Sequence, residues 1–309
     1  MTERSPRSRR HLAIGLCALT PLLVLAGLTA GGDGWSPSQL LALLSGPDGT
    51  AIVAQIRAPR TLGAWLTGAL LGLAGAVSQG LFRNPLADPY LLGSASGAVL
   101  GVVLVLAASL TASQGAGATD LLAHIGLVGG AFAGALLGVT LTFMLARGAH
   151  ESVRLLLAGV VVGVLLGAVS DMVTSAVPEA LRGKQSFLLG STSFLSWGSC
   201  ALMAVGLLAV LPAAWWLSRA LDALSLGDDS AASLGIPLSR VRMVFVGVLA
   251  LATGIAVSQT GLIAFVGLVS PHLVRRFAPS AHGFALVASA AVGGALLMAA
   301  DVLARSAES

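Results

Sequence analysis

A chain of 309 residues that is 56% hydrophobic and only 10% charged cannot cover a water-facing surface, since soluble domains carry about 25% charged residues. Its mean hydropathy of +0.92 and its small formal net charge of +4 suit a protein whose solvent is lipid. The composition therefore excludes a soluble protein and predicts an integral membrane protein that contacts membrane lipid and no nucleic acid.

Nine apolar runs are candidates for membrane-spanning helices, because a chain in lipid must satisfy its backbone hydrogen bonds internally. They cover residues 12–30, 61–82, 91–110, 122–146, 153–173, 198–220, 241–259, 261–274 and 283–303. The first run follows a group of arginines and is long enough to cross a hydrocarbon core of ~30 Å, which favours a retained span over a cleaved signal. The eighth is short, and we expect it to be broken or packed inside the bundle. The prediction is an all-α, polytopic transmembrane helical bundle forming one domain over residues 1–309.

The basic residues predict the orientation of these spans. If the N-terminus lies in the cytoplasm and the spans alternate, twelve of the seventeen basic residues fall on the cytoplasmic side. The outer set is Arg57, Arg60, Arg182, Lys184 and Arg305. Cytoplasmic loops of membrane proteins carry an excess of Lys and Arg, so we expect a cytoplasmic N-terminus and a cytoplasmic segment 222–242.

An internal echo suggests a repeat. The tetrapeptide Ala-Val-Ser-Gln closes the second span at residues 76–79 and the seventh at residues 256–259. On the predicted topology these two spans run in opposite directions, which is what an inverted-topology repeat leaves in a sequence. Coincidence is the alternative in a chain so rich in alanine. Gln79 and Gln259 would lie near opposite mouths of a central pathway, where they could gate it or simply form hydrogen bonds between helices; Asn84 is a further candidate for the pathway or gate.

The stretch LFRNPLADPYLLG at residues 81–93 interrupts the apolar pattern between two spans. Pro85 and Pro89 move Asn84 and Asp88 away from helical dihedral angles. Asn and Asp side chains satisfy backbone groups freed at such points. We therefore expect a double turn that ends one span and directs the next.

These segments together resemble the FecCD-like family, permease subunits of ATP-driven importers for ferric siderophores, haem and vitamin B12. The resemblance spans about residues 55–305. It is carried by RAPR (57–60), RNPLADPYLLG (83–93), LGIPLSRVR (234–242), GLIAFVGLVSPHLVRR (261–276) and ADVLAR (300–305). The family usually continues into an ELPxG stretch and a tenth span, whereas this sequence stops at Ser309. Taken as a whole, the chain resembles haem-importer permeases most. Haem is therefore the expected cargo, ahead of a ferric siderophore, with vitamin B12 as the alternative.

The resemblance implies an assembly in the bacterial inner membrane. It implies two copies of this chain, two ATP-binding cassette subunits and a periplasmic substrate-binding protein. The sequence has no G-x-x-x-x-G-K-[ST] motif, so we expect ATP to be bound and hydrolysed by the partner subunits. Cys17 and Cys200 form no metal-ligand spacing, and we expect this chain to bind no cofactor or metal and to be no enzyme.

Two groups of residues are predicted to meet partner proteins. The resemblance assigns Arg57, Arg60 and Arg305 to docking of the binding protein. The alternatives are that Arg57 and Arg60 anchor a helix end and that Asp301, four residues before Arg305, neutralises it. Residues 222–242 resemble coupling helices, the contact with the ATPase, where an ordinary capped loop is the alternative. The candidates there are Leu226, Gly227, Asp228, Gly235, Ile236 and Pro237.

The local pattern predicts how the segment 222–242 folds. Gly227 breaks the extension of the sixth span, and Asp228 caps a short helix that runs through Ser233. Gly235 stops that helix, and Pro237 begins a second short one.

Two other functions compete with this interpretation. A secondary transporter would couple ions through Asp171 or Asp301, but both lie near predicted outer ends, where interfacial solvation explains them. An intramembrane enzyme is disfavoured because no nucleophile–base pair or metal cluster is visible in the sequence.

Overall fold

The computed structural model describes residues 6–31, 34–35, 47–112, 120–146 and 152–307, and helices dominate these ranges. The helices are α1 (Pro6–Thr29), α2 (Pro47–Ile52), a π-helical turn (Val53–Arg57), α3 (Ala58–Leu81), α4 (Ser94–Ala112), α5 (Asp120–Leu145), α6 (Ser152–Ala176), α7 (Ala180–Leu189), α8 (Trp197–Trp216), α9 (Ser218–Ser225), α10 (Asp228–Ser233), α11 (Leu238–Thr260), α12 (Val266–Phe277) and α13 (His282–Ala307). Two two-residue strands, β1 (Ala30–Gly31) and β2 (Gly34–Trp35), pair antiparallel with Ala30 opposite Trp35.

Seven helical segments within the described ranges are long and apolar enough to cross a membrane. They are Arg7–Thr29, Thr50–Leu81, Ile125–Leu145, Ser152–Ala176, Trp197–Trp216, Leu238–Thr260 and His282–Ala307. The prediction of an all-α transmembrane bundle is confirmed. The other two predicted spans are shorter helices, α4 and α12. Helix α12 starts only at Val266, because Gly261 and Phe265 have φ angles of 70° and 67°, which no α-helix accommodates.

The described residues form two compact units. The first takes its residues from Met1–Ala76, Thr192–Arg219 and Phe265–Ser309. Within it α3 and α13 approach backbone to backbone, since a Cβ on Gly68 or Gly293 would overlap the other helix's backbone. Leu12 and Leu16 of α1 pack against a buried cluster formed by α12 and α13. Small residues thus allow the close helix contacts on which membrane proteins depend.

The second unit takes its residues from Val77–Ser191 and Ala220–Ala264. Its centre is the α4–α5 pair, where Gly97 and Gly101 of α4 meet Gly134 and Gly130 of α5. Gly130 and Gly134, which belong to a row of glycines at every fourth residue of α5 (126, 130, 134 and 138), are therefore packing residues. In α6 the same spacing is mixed, because a Cβ on Gly159 would overlap the Leu91 carbonyl, whereas a Cβ on Gly167 would meet nothing within 4 Å.

Candidate functional site

The segment between α3 and α4 forms the predicted double turn. Asn84 Oδ1 accepts a hydrogen bond from the Leu86 backbone N–H at 2.9 Å, and Asp88 Oδ1 accepts one from the Tyr90 N–H at 2.8 Å. Both are side-chain turns of the kind that Asn and Asp favour. Arg83, just before them, has a φ of 50°, a conformation that costs a non-glycine residue energy and persists only where the surroundings hold it.

Tyr90 connects this turn by a hydrogen bond to the non-helical segment between α11 and α12. Its hydroxyl donates to the Ile263 carbonyl at 3.2 Å. The neighbouring Leu262 N–H donates to the Phe187 carbonyl at the end of α7, at 3.0 Å. Burial raises the pKa of Tyr90 above its ordinary range, and the charge of Asp88 adds to the rise. Burial also raises the pKa of Asp88, although the hydrogen bond from the Tyr90 N–H opposes it.

Asp228 joins two arginines from different parts of the second unit. Arg242 Nη2, in the first turns of α11, donates to Asp228 Oδ2 at 2.7 Å. Arg83 Nη2 forms an ion pair with Asp228 Oδ1 at 3.2 Å, without hydrogen-bond geometry. The side chain of Arg242 is 1% exposed, that of Asp228 33% and that of Arg83 40%. We call these three residues the Asp228 cluster.

The predicted role of Asp228 as a helix cap is wrong. Gly227, with a φ of 111°, occupies the N-cap of α10, and Asp228 is the first helical residue. Its carboxylate instead accepts a charge-assisted hydrogen bond from Arg242 and forms an ion pair with Arg83.

The rest of the segment 222–242 folds as predicted except for its second short helix. Gly235 has a φ of 77° and ends the short helix α10, as predicted. Pro237 is the N-cap of α11 and not the start of a second short helix, because α11 continues for 23 residues as an apolar span. The two short helices are α9 and α10. Leu226 lies exposed between them, and the Ile236 N–H donates to the Ala231 carbonyl at 3.2 Å.

Asp301 is the centre of a second charged group, within the first unit. Arg60 Nε donates to Asp301 Oδ1 at 2.9 Å, and Arg305 Nη2 donates to Oδ2 at 2.6 Å. The Thr192 hydroxyl donates to Oδ1 at 2.5 Å. The Asp301 side chain is 1% exposed, so the predicted interfacial solvation of this residue is wrong. We call these four residues the Asp301 cluster.

The predicted docking arginines are engaged within the chain. Arg57 Nη1 donates to the Leu28 carbonyl at 3.0 Å, at the end of α1. Arg305 is buried, and besides Asp301 it donates to the carbonyl of Gly27 at 2.8 Å and the hydroxyl of Thr61 at 3.2 Å. The expectation that Asp301 neutralises Arg305 is confirmed by their ion pair. Docking of a binding protein by these arginines stays a prediction.

The two glutamines proposed for a pathway differ in burial and in location. Gln79 is buried near the end of α3, and the partly buried Gln259 donates to the Ser258 hydroxyl at 3.3 Å. Lys184 of α7 forms an ion pair with Asp171 of α6 at 2.5 Å, beside a cavity of about 190 Å³. Because Asp171 and Asp301 are both already paired with cations, ion coupling through either one loses its support.

Comparison with known proteins decides the class. The sequence profile of the FecCD transport family matches residues 19–309. The chain belongs to the FecCD transport family. A chain from a solved inward-facing structure, assigned to a metal-chelate type ABC transporter, is 27% identical. It superimposes with a TM-score of 0.84 over 96% of this chain and 91% of that chain.

Curated relatives are similar over nearly the whole chain. The vitamin B12 import system permease protein BtuC of Pectobacterium atrosepticum is 39% identical over 308 residues, which is 98% of this chain and 87% of that protein. The protein of the same name from Escherichia coli is 35% identical over 99% of this chain and 90% of that protein. This FecCD chain is thus a multi-span membrane permease, the translocation component of an ABC importer.

Sequence reasoning missed three members of the two clusters. The sequence pattern marks Arg83 and Arg242 only as cytoplasmic charges, and it gives no signal for Thr192. For the two arginines a signal existed, since each lies within a motif that also holds a candidate residue. Thr192 stands 109 residues before Asp301, and no spacing rule connects them.

Proposed function

We propose that this FecCD permease carries a corrinoid of the vitamin B12 class. The observation that carries the proposal is 39% identity over 98% of the chain to a protein named a vitamin B12 import permease. The sequence-based preference for haem has no comparable support. A corrinoid is a metal chelate, so the likeness to a metal-chelate type transporter agrees with this cargo.

The proposed assembly follows the architecture of ABC importers. Two copies of this chain enclose the pathway in the inner membrane, with the N-terminus in the cytoplasm. Two partner subunits bind and hydrolyse ATP at the cytoplasmic side, and a substrate-binding protein delivers cargo at the outer side. The excess of basic residues on the predicted cytoplasmic side supports this orientation.

We assign docking of the binding protein to Arg57 and Arg60, whose side chains are only partly buried. Arg57 is the sharper probe, because it binds backbone carbonyls, whereas Arg60 also neutralises Asp301. Arg57→Glu should place like charges across the interface and lower the affinity for the binding protein by several kcal/mol. ATP hydrolysis without the binding protein should persist. Unchanged affinity in Arg57→Glu would return this residue to a helix-end anchor.

We assign coupling to the ATPase to α9, α10 and their connections, including Leu226, Gly227, Gly235, Ile236 and Pro237. Within this segment the Asp228 cluster is a positioning device. It connects α10 to the turn after α3 through Arg83 and to the start of α11 through Arg242. A displacement of α10 by the ATPase would therefore reach both elements through one carboxylate.

The cargo is tested by transport in proteoliposomes that contain the assembled complex, with the binding protein outside and ATP inside. Cyanocobalamin, haemin and a ferric hydroxamate siderophore are compared at equal concentration. We expect uptake of cyanocobalamin that requires ATP and is abolished by vanadate. Uptake of haemin without cyanocobalamin would overturn the corrinoid assignment, and uptake that ignores ATP and vanadate would overturn ATP coupling itself.

A further inference from the structure

An exposed apolar stripe follows helix α8 to its C-terminal end. Leu202, Val205, Leu208 and Trp215 are exposed at spacings of three to seven residues, which places them along one side of the helix. Helix α8 is one of the apolar segments long enough to cross a membrane. A hydrocarbon chain of a lipid lies naturally along such a surface.

The stripe ends at a cavity of about 410 Å³. The cavity is lined by Trp215, Trp216, Ser218 and Arg219, at the junction of α8 and α9. The first turn of α13 lies beside it, since a methyl group on Gly283 would sit 3.3 Å from Ser218 Oγ and 3.8 Å from Trp215 Nε1. Exposed indole rings at the end of a spanning helix mark the boundary between hydrocarbon and water.

The polar side chains around this cavity can all donate hydrogen bonds. Arg219 is exposed and makes no ion pair within the described ranges. Ser218 is only 7% exposed, and its hydroxyl has no hydrogen-bond partner among the residues that the structure describes. The first turn of α13 carries no acidic residue, and the positive end of a helix dipole attracts anions.

We propose that this cavity binds the phosphate of an anionic phospholipid headgroup, with the acyl chains of the lipid along the α8 stripe. Arg219 supplies the full positive charge, Ser218 and the Trp215 indole N–H supply donors, and the α13 N-terminus adds its dipole. A soluble phosphate would use the donors and leave the adjoining apolar stripe uncovered. Basic pockets at the cytoplasmic ends of spanning helices are typical sites for anionic lipids.

The test measures binding of fluorescent phosphatidylglycerol, and of phosphatidylcholine with the same chains, to the detergent-solubilised full chain. We expect phosphatidylglycerol to bind more tightly, and Arg219→Gln to weaken its binding about fivefold, the effect of one arginine near a lipid surface. Arg240→Gln is the matched control, because Arg240 is also exposed and lies at the start of α11. It should bind phosphatidylglycerol as the wild type does.

Three outcomes would overturn the proposal. The first is equal affinity for the two lipids, and the second is an unchanged affinity for phosphatidylglycerol in Arg219→Gln. The third is complete displacement of phosphatidylglycerol by inorganic phosphate at matched concentration, which would identify a site for soluble anions. Because Arg219 is exposed, its replacement should leave the fold intact, and a thermal unfolding scan of both variants verifies this.

Discussion

The Asp301 and Asp228 clusters have the same charges and opposite surroundings. Each places one aspartate between two arginines. Asp301 is almost fully buried, and its oxygens receive three side-chain hydrogen bonds from Arg60, Arg305 and Thr192. Asp228 is one-third exposed, holds a buried arginine on one oxygen and a half-exposed one on the other, and makes its only side-chain hydrogen bond within the described ranges to Arg242.

The difference in burial indicates different uses for the same chemistry. Removing one partner of a buried ion pair leaves an uncompensated charge, so the Asp301 cluster holds its helices in one arrangement. An exposed ion pair contributes little to stability. The Arg83–Asp228 contact can therefore break without a large loss of stability, which fits the proposed coupling to an ATPase.

The largest change in stability is expected from Asp301→Asn. It leaves Arg305 buried without its counter-charge, and we expect a loss of about 3–5 kcal/mol in the free energy of unfolding. Unfolding in detergent by a chemical denaturant measures it. Asp229→Asn, which removes the same charge from an exposed position in α10, should change stability by less than about 0.5 kcal/mol. Equal stability of the two variants would refute the structural role of the Asp301 cluster.

A smaller loss in the free energy of unfolding is expected from Arg242→Gln. The buried arginine disappears, but Asp228 keeps its contact with Arg83 and its access to water, so we expect about 1–3 kcal/mol. The same denaturant experiment applies. A loss as large as that of Asp301→Asn would mean that the two clusters do not differ as their burial indicates.

Gly235→Val tests the coupling segment beside the Asp228 cluster. A φ of 77° is unfavourable for valine by about 1–2 kcal/mol, although a Cβ there would meet nothing within 4 Å. We expect the complex to assemble and hydrolyse ATP while uptake falls. The matched change Gly247→Val, at a helical glycine of α11 that also has open space around it, should transport normally. Normal transport in Gly235→Val would disprove the coupling assignment.

The smallest effect concerns the turn after α3. Because burial raises the folded-state pKa of Asp88 above its ordinary value of 3.8, the folded protein retains a proton that the unfolded chain loses. The contribution of Asp88 to stability therefore falls as pH rises from the unfolded-state pKa through the higher folded-state pKa. Asp88→Asn keeps an acceptor for the Tyr90 N–H, and we expect it to raise stability at neutral pH by less than about 1 kcal/mol. The difference in stability between Asp88→Asn and the wild type should vanish at acid pH. A difference that stays constant with pH would contradict the explanation by the raised pKa of Asp88.

The sequence correctly predicts those elements whose structure is determined by residues close together in the chain. The apolar runs predicted the long helices, and the two X-Pro pairs predicted the turn at Asn84 and Asp88. The position of Asp228 after Gly227 wrongly predicts a helix cap, because its actual partner Arg242 lies fourteen residues further along the chain. The contact between Thr192 and Asp301 depends on tertiary packing alone, and no short pattern encodes it.

We propose that the buried Asp301 cluster holds the fold while the half-exposed Asp228 cluster carries coupling. The direct test compares Thr192→Val with Arg83→Gln in the assembled complex, measuring ATP hydrolysed per cargo imported and the apparent melting temperature. Thr192→Val should lower the melting temperature and keep the wild-type ratio. Arg83→Gln should keep the melting temperature and raise the ratio about fivefold or more, and Arg83→Lys should restore it. A wild-type ratio in Arg83→Gln, or a parallel loss of hydrolysis and uptake, would contradict the account.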